Sequence, residues 1–292
     1  MLLLDGKKLS EEIKAEIKTQ VEKRLLTGKS APHLAAILVG NDGGSLTYVG
    51  HKVKACEQVG FRSTLLHFQE NITQDALLKE IERLNADNTV HGFIVQLPLP
   101  AHIDATRVLL HIHPSKDVDG FHPVNVGRIT LGMPGFVSAT PLGITRLLER
   151  YAIQTAGKHC VIIGRSNIVG RPLSILLSSQ SATGNATVTL CHSRTQNLAS
   201  ITRQADILIA ALGKPEFLTA NMVKEGAVVI DVGTTRVPDP SAKTGWRLKG
   251  DVKFDEVAPK CSAITPVPGG VGPMTVVSLL LNTLQAAQQA DP

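Results

Sequence analysis

Tyr48 and Lys52 stand four residues apart in a segment of helical hydrophobic spacing, so their side chains share one helix face. A lysine that is partly desolvated beside a phenol, near the positive end of a helix, can lose its proton close to neutral pH, as acid–base work requires. A tyrosine packed on a solvated lysine stem would leave the same spacing. Lys54 falls on another face and is expected in solvent. Gln96 sits where the apolar run Gly92-Phe93-Ile94-Val95 meets Leu97-Pro98, at the carboxyl edge of a buried strand, which is where parallel sheets bind ligands. Asp117 and Asp119 belong to Lys116-Asp117-Val118-Asp119-Gly120, a charged loop with glycine that would serve equally as a solvated turn. Neither this pair nor His111 and His113, two apart, has a third ligand at a telling spacing, and no metal is expected.

In the second half, Gly164-Arg165-Ser166-Asn167-Ile168-Val169-Gly170-Arg171-Pro172 lies between a strand pattern and a helix pattern. A glycine turn there exposes backbone N–H groups and a positive helix end to a pyrophosphate. It departs from G-x-G-x-x-G, because Ser166 replaces the second glycine and the third is displaced to Gly170; a plain strand-to-helix turn would read similarly. The following strand ends in Cys191-His192-Ser193-Arg194, with no carboxylate to receive ribose hydroxyls. A hydroxyl, an imidazole and a guanidinium at that point, with Arg165 in the turn, suit a 2′-phosphate, so NADP is expected over NAD. The alternative is that His192 and Arg194 are solvated loop residues.

Alternating hydrophobic periods supply the elements that must position these groups. Leu9, Ile13, Ile17, Val21 and Leu25 draw one helix face that Gly28 stops, and Leu34–Val39 is a short apolar run of the kind buried on both sides. Ser45 is expected to cap a helix that runs to about Val59 and closes at Gly60. The cycle repeats through a strand at Ser63–Phe68, a helix after Thr73 carrying Leu77, Leu78, Ile81 and Leu84, and a strand at His91–Val95. Thr140-Pro141 reads as cap and first helical residue. Four strands are expected beyond it, at His159–Ile163, Ala186–Leu190, Asp206–Ala210 and Val228–Val232, with a helix from Ile168 and a last helix bearing Val276, Val277, Leu280, Leu281 and Leu284. The fold class is therefore α/β: two αβ domains, the second a Rossmann-like doubly wound parallel sheet, with an interdomain cleft. The expected division is 1–138 for a catalytic domain and 139–273 for a dinucleotide domain, with the terminal helix 274–292 packing back on the first.

Composition narrows the partners. The 292 residues are 43% hydrophobic and 19% charged, and 30 basic against 25 acidic residues give +5 without a run of five or six like charges. That mild balance suits a small anionic ligand and does not argue for nucleic acid. Phe 7, Tyr 2 and Trp 1 leave little for base-stacking platforms. Cys56, Cys160, Cys191 and Cys261 form no C-x-x-C and are expected as free thiols. Met1-Leu2-Leu3-Leu4-Asp5 is shorter than a signal h-region, and no run approaches the roughly 18 apolar residues of a membrane span, so no membrane partner is expected and the cytoplasm is the expected compartment.

Taken together, five runs in order resemble the methylenetetrahydrofolate dehydrogenase/cyclohydrolase family over nearly the whole chain. They are Tyr48-Val49-x-x-Lys52-x-Lys54-Ala55; Gly92-Phe93-Ile94-Val95-Gln96-Leu97-Pro98-Leu99-Pro100; Lys116-Asp117-Val118-Asp119-Gly120-Phe121; Gly164-Arg165-Ser166-x-x-Val169-Gly170-x-Pro172; and Thr265-Pro266-Val267-Pro268-Gly269-Gly270-Val271-Gly272-Pro273-Met274-Thr275. The resemblance implies oxidation of 5,10-methylenetetrahydrofolate to the 5,10-methenyl form with NADP, then hydrolysis to 10-formyltetrahydrofolate, both in one cleft. It implies Lys52 as general acid/base of the hydrolysis, Tyr48 as orienting group, Gln96 as the hydrogen-bond partner of Lys52, and Asp119 as acceptor for the pterin. Leu97, Pro98, Pro268, Gly269 and Gly270 would surround the folate, and Gly164, Arg165, Ser166, Ser193 and Thr234 the cofactor. A homodimer formed through the cofactor domain is implied as well. The family's usual Asp-Val-Gly-Ile-Asn-Arg reads Asp231-Val232-Gly233-Thr234-Thr235-Arg236 here, so the apolar cofactor contact expected at position 234 is polar. Two rivals share parts of the pattern: another NAD(P)-dependent oxidoreductase on a two-domain scaffold, and a non-catalytic dinucleotide-binding regulator, which would need no Tyr48/Lys52 pair.

Overall fold

The computed structural model describes residues 1–242 and 245–291. In chain order the elements are β1 (Leu2–Leu3), α1 (Gly6–Leu26), β2 (His33–Val39), α2 (Gly43–Val59), β3 (Arg62–Phe68), α3 (Gln74–Ala86), β4 (Gly92–Val95), α4 (Ala105–His111), α5 (Pro123–Thr130) and α6 (Ala139–Arg150). There follow β5 (His159–Ile163), α7 (Gly170–Ser178), β6 (Thr187–Cys191), α8 (Leu198–Thr202), β7 (Ile207–Ala210), β8 (Val228–Asp231), β9 (Thr235–Pro238), β10 (Trp246–Lys249), α9 (Phe254–Val257), β11 (Ala263–Ile264) and α10 (Val271–Ala290). Contacts group Met1–Ser10 with Thr140–Thr275, and Glu11–Ala139 with the chain from Val276 onward, so the divisions fall inside α1, after the first residue of α6, and inside α10.

The second of these units holds a three-stranded parallel sheet in the order β3-β2-β4. Every residue of β2 is buried, which is why His33–Val39 is an unbroken apolar run after its first residue: a central parallel strand has no wet face. Leu77, Ile81 and Leu84 of α3 pack with Ile37, Phe93 and Val95 of the sheet in one core. Thr73 caps α3 by accepting from Ala76 N. The cap of α2 differs from expectation. Asp42, rather than Ser45, is the cap, and its Oδ2 accepts from both Ser45 N (2.8 Å) and Ser45 Oγ (2.9 Å). An ionised acceptor at the positive helix end outcompetes a hydroxyl, and the helix starts at Gly43.

The other unit holds a six-stranded sheet, β1-β11-β8-β7-β5-β6, parallel throughout, rather than the four strands expected. The two extra strands have two residues each, too few to show a period, and the antiparallel pair β9-β10 is a further addition to the expected elements. Arg236 lies over the Trp246 ring at 4.3 Å in that pair. Val161, Ile163, Leu208, Val229 and Ile264 form the centre of its core. Three helix starts move. α6 begins at Ala139, which places Thr140 inside its first turn; α7 begins at Gly170, leaving Gly164–Val169 as loop; and α10 begins at Val271, with Pro273 in a first turn where a missing N–H costs no hydrogen bond. All four cysteines are buried free thiols. Among the described residues no helix is long and apolar enough to cross a membrane.

Candidate active site

Helix α2 follows β2 and carries Lys52 one turn beyond Tyr48, on the side that becomes buried: Lys52 keeps 7% of its surface, whereas Lys54 is exposed. Lys52 Nζ donates to Gln96 Oε1 at 3.1 Å and lies 5.9 Å from the centre of the Tyr48 ring. Gln96 is fixed at both ends. Its backbone N–H donates to Ile37 O at 2.9 Å, and its Nε2 donates to Leu97 O at 2.7 Å, which leaves Oε1 to face the lysine. The Leu97–Pro98 peptide that follows is cis. Burial holds Lys52 below the usual lysine range, and the Asp119 charge opposes that shift. Burial raises Asp119, with the Lys52 charge pulling the other way, and burial also raises the Tyr48 phenol. An amine that gives up its proton more readily than an ordinary lysine, tethered by an amide oxygen, is placed for proton transfer.

Asp119 reaches this place because residues 116–118 run beside β4: Phe93 N donates to Lys116 O at 3.0 Å, and Phe93 bridges to Asp117. Gly92 is required there, since a Cβ would sit 2.2 Å from Val118 Cγ1. The two aspartates, indistinguishable as a sequence motif, have separate jobs. Asp117 is 1% exposed and is no solvated turn residue; it accepts from Phe121 N (3.2 Å), His122 N (2.8 Å) and Asn125 Nδ2 (2.9 Å), and burial pushes it up to about 6. Asp119 is half-buried beside the lysine charge. From α10, Asn282 Nδ2 donates to Val118 O and Val137 O, both at 2.8 Å. Sequence reasoning missed Asn125 and Asn282; the one hint was an asparagine on the apolar face of the last helix. Among the described residues no group of three or more His, Cys, Asp or Glu could hold a metal ion.

The remaining predicted residues lie in the six-stranded unit. Strand order reverses between β5 and β7, the position at which such sheets open a ligand crevice. Gly164 has φ +128°, and a Cβ on it would lie 2.1 Å from Ala211 O; one on Gly170 would lie 1.9 Å from Gly164 O. Only glycine lets the turn close so tightly. Gly164 N donates to Cys191 O at 2.9 Å, which ties the turn to the end of β6 and to Ser193 just beyond it. Arg165, Ser166, Ser193 and Arg194 are exposed, and α7 begins after Val169 without a side-chain cap. A glycine cradle, an uncapped helix start and basic and hydroxyl groups beside it fit the phosphates of a dinucleotide. Thr234 is exposed in the link from β8 to β9. Pro268-Gly269-Gly270 follows β11 after the cis Val267–Pro268 peptide; Gly269 O accepts from Lys7 N at 2.8 Å, and a Cβ on Gly6 would strike Gly270 O at 1.9 Å. Lys52, Tyr48, Gln96 and Asp119 thus form one group, and the glycine turn with Ser193 another.

Two family models match this chain: tetrahydrofolate dehydrogenase/cyclohydrolase, catalytic domain, over residues 4–119, and tetrahydrofolate dehydrogenase/cyclohydrolase, NAD(P)-binding domain, over residues 138–291. The chain belongs to the tetrahydrofolate dehydrogenase/cyclohydrolase family. It is 63% identical over 286 residues to the bifunctional protein FolD of Porphyromonas gingivalis, covering 98% of this chain and 97% of that one. The crystal structure of the bifunctional enzyme FolD, methylenetetrahydrofolate dehydrogenase/cyclohydrolase, from Campylobacter jejuni is similar at a TM-score of 0.93 and 50% identity, covering 99% of each chain. That of the Trypanosoma brucei N5,N10-methylenetetrahydrofolate dehydrogenase-cyclohydrolase, complexed with NADP cofactor and inhibitor, is similar at a TM-score of 0.93 and 41% identity, covering 99% of this chain and 98% of that one. As a member of this family, the chain is an enzyme of folate one-carbon metabolism with dehydrogenase and cyclohydrolase activities and an NAD(P)-binding domain.

Proposed function

We propose that this chain oxidises 5,10-methylenetetrahydrofolate to the 5,10-methenyl form with NADP and hydrolyses that product to 10-formyltetrahydrofolate, with Lys52 as the general acid/base of the second step. The observation that carries this reading is the buried lysine held by Gln96 Oε1 and kept below its usual range by burial. In hydrolysis, water adds to the carbon bound to two folate nitrogens. Lys52 Nζ, as the neutral amine, takes the proton of that water and returns a proton to the nitrogen that departs when the ring opens. Gln96 keeps Nζ at the place of attack, and Tyr48 orients substrate and lysine across the same helix face. Asp119 accepts from the pterin N–H groups and counters the effect of burial on the lysine; Leu97 and Pro98 line the folate beside Gln96.

For the first step, bound NADP supplies a hydride acceptor, and the residues of this chain supply position. Gly164 and Ser166 cradle the phosphates with backbone, Arg165 and Ser193 meet the 2′-phosphate, and Thr234 lies along the cofactor. Pro268, Gly269 and Gly270 close backbone over folate and nicotinamide, which the missing side chains permit. The chain is read as a cytoplasmic homodimer that pairs through its cofactor domain, which sedimentation at working concentration will test. The decisive experiment follows hydrolysis of methenyltetrahydrofolate by Lys52→Met. The expected result is a loss of about 10²- to 10⁴-fold in a folded protein that still binds NADP. Unchanged hydrolysis would sink the assignment.

A further inference from the structure

Asp251 is a fully buried carboxylate that none of the chemistry above employs. Its oxygens collect three consecutive backbone donors from the segment after β7: Oδ2 accepts from Leu212 N at 2.6 Å and Gly213 N at 3.0 Å, and Oδ1 from Lys214 N at 2.7 Å. Gly213, at φ +68°, bends the segment so that the three amides converge. Asp231, at the end of β8, repeats the arrangement: Oδ1 accepts from Gly233 N (2.9 Å) and Asp251 N (2.8 Å), and Oδ2 from Val252 N (3.0 Å). Its own N–H donates to Thr265 Oγ1 at 2.7 Å. The space is cut to fit. A Cβ on Gly233 would lie 2.5 Å from Asp251 Oδ1, and one on Gly250 would lie 1.9 Å from Asp231 Oδ2.

Burying two carboxylates is costly, and six backbone N–H donors offset that cost. A core of this size could have been closed with apolar residues, so what the carboxylates tie together is informative. The Asp251 carboxylate holds 212–214, which leaves the carboxyl end of β7, and the Asp231 carboxylate holds Gly233 beyond β8 together with Asp251 and Val252, while the backbone N–H of Asp231 reaches Thr265 just after β11. Ala211, next to 212–214, carries the carbonyl that any side chain on Gly164 would strike. The wall of the glycine turn and the loop held by Asp251 are therefore continuous.

We propose that Asp251, supported by Asp231, is a positioning residue for NADP: its carboxylate fixes the Leu212–Lys214 loop against the Gly164 turn and so preforms the dinucleotide end of the site. This rests on the cofactor reading given above. Asp251 acts through the loop and touches neither cofactor nor reacting atoms.

The test is Asp251→Asn, which keeps shape and turns one acceptor oxygen into an NH₂ that faces a backbone N–H. NADP affinity is measured by calorimetry, the dehydrogenase by KM for NADP against kcat, and hydrolysis of methenyltetrahydrofolate without NADP serves as the internal control, because Lys52 belongs to the other unit. Expected are Kd and KM for NADP raised about tenfold, as for one lost hydrogen bond to a charged group, with kcat and hydrolysis little changed. Should that variant fail to fold, Gly213→Ala disturbs the same loop: its surroundings are open, but its positive φ is strained for alanine, so the effect is smaller in the same direction. Unchanged NADP affinity in the variant that folds, an equal fall in both activities, or loss of folding in both variants overturns the proposal. Arg165→Ala separates the levels: if it too binds NADP normally, the cofactor reading itself is wrong, whereas a weakened Arg165→Ala beside a normal Asp251→Asn overturns only the role of Asp251.

Discussion

Each of the two sheets reverses its strand order once, between β2 and β4 in one unit and between β5 and β7 in the other, and each gathers its candidate functional residues on the carboxyl edge of that reversal. The materials differ. At the first edge they are side chains: an amine, an amide oxygen, a phenol and a carboxylate, with the amine and the carboxylate shifted by burial and by each other's charge. At the second edge they are chiefly backbone, with glycines so tightly placed that a single Cβ would collide with a carbonyl. Proton transfer needs a group whose protonation can change at working pH, while phosphate binding and hydride positioning need fixed donors and close approach. The same topology therefore serves two kinds of chemistry by changing what stands at its edge: buried titratable groups in one unit, and in the other a glycine backbone flanked by exposed basic and hydroxyl side chains.

The contrast can be broken most decisively at Gly164. A valine there would combine a contact 2.1 Å from Ala211 O with a φ of +128°, and NADP binding is expected to fall at least about 100-fold while Lys52-dependent hydrolysis persists. Calorimetry with NADP and the hydrolysis assay on the same preparation decide this; normal NADP binding would mean that the backbone does not form the cofactor edge. The converse substitution is Gly92→Ala, which pushes Val118 and the segment bearing Asp119. Hydrolysis is expected to fall about tenfold with NADP binding intact, since a small misplacement of a catalytic group is costly.

Asp119→Asn sharpens the electrostatic half. The Asp119 charge raises Lys52 against the lowering by burial, so its removal lets the amine lose its proton at lower pH. The limb of the hydrolysis profile that requires neutral lysine should move to more acid pH; a shift to alkaline pH would contradict the coupling. The smallest effect is expected at Thr234→Ile, which restores the apolar residue usual in the family and should tighten NADP about threefold, close to the value of one buried methylene.

Much of this arrangement could be read from residues alone, and the failures share a cause. The lysine helix, the buried strands and the glycine turn announce themselves through periodicity and local chemistry. Ser45 has the chemistry of a cap, but Asp42, three residues earlier, takes that place and accepts from the N–H of Ser45 itself. β1 and β11 have no period to detect and exist only because they pair with each other and, through β11, with β8. Outside the resemblance, which singles out Asp119, that residue and Asp117 look equivalent until their burial separates them, and the partners of Asp251 and Asn282 emerge only once segments far apart in sequence lie side by side. Local signals place reactive groups on elements. What holds those elements to one another is written in long-range pairs that carry no motif.

Those pairs bear on how the molecule is made. Asn282 grips Val118 O across 164 positions, and Leu2 lies in register with Ala263. Translation runs from the amino end, so the loop that presents Asp119 is laid down long before its anchor, and the first strand waits for its partner until most of the chain has been polymerised. Neither half can finish as a separate piece. A polypeptide released between residues 138 and 139 would lack α10, the last helix of one unit, and would carry β1 without the β11 it pairs with, so a ribosome stalled there would yield neither a lysine site nor a cofactor edge in finished form.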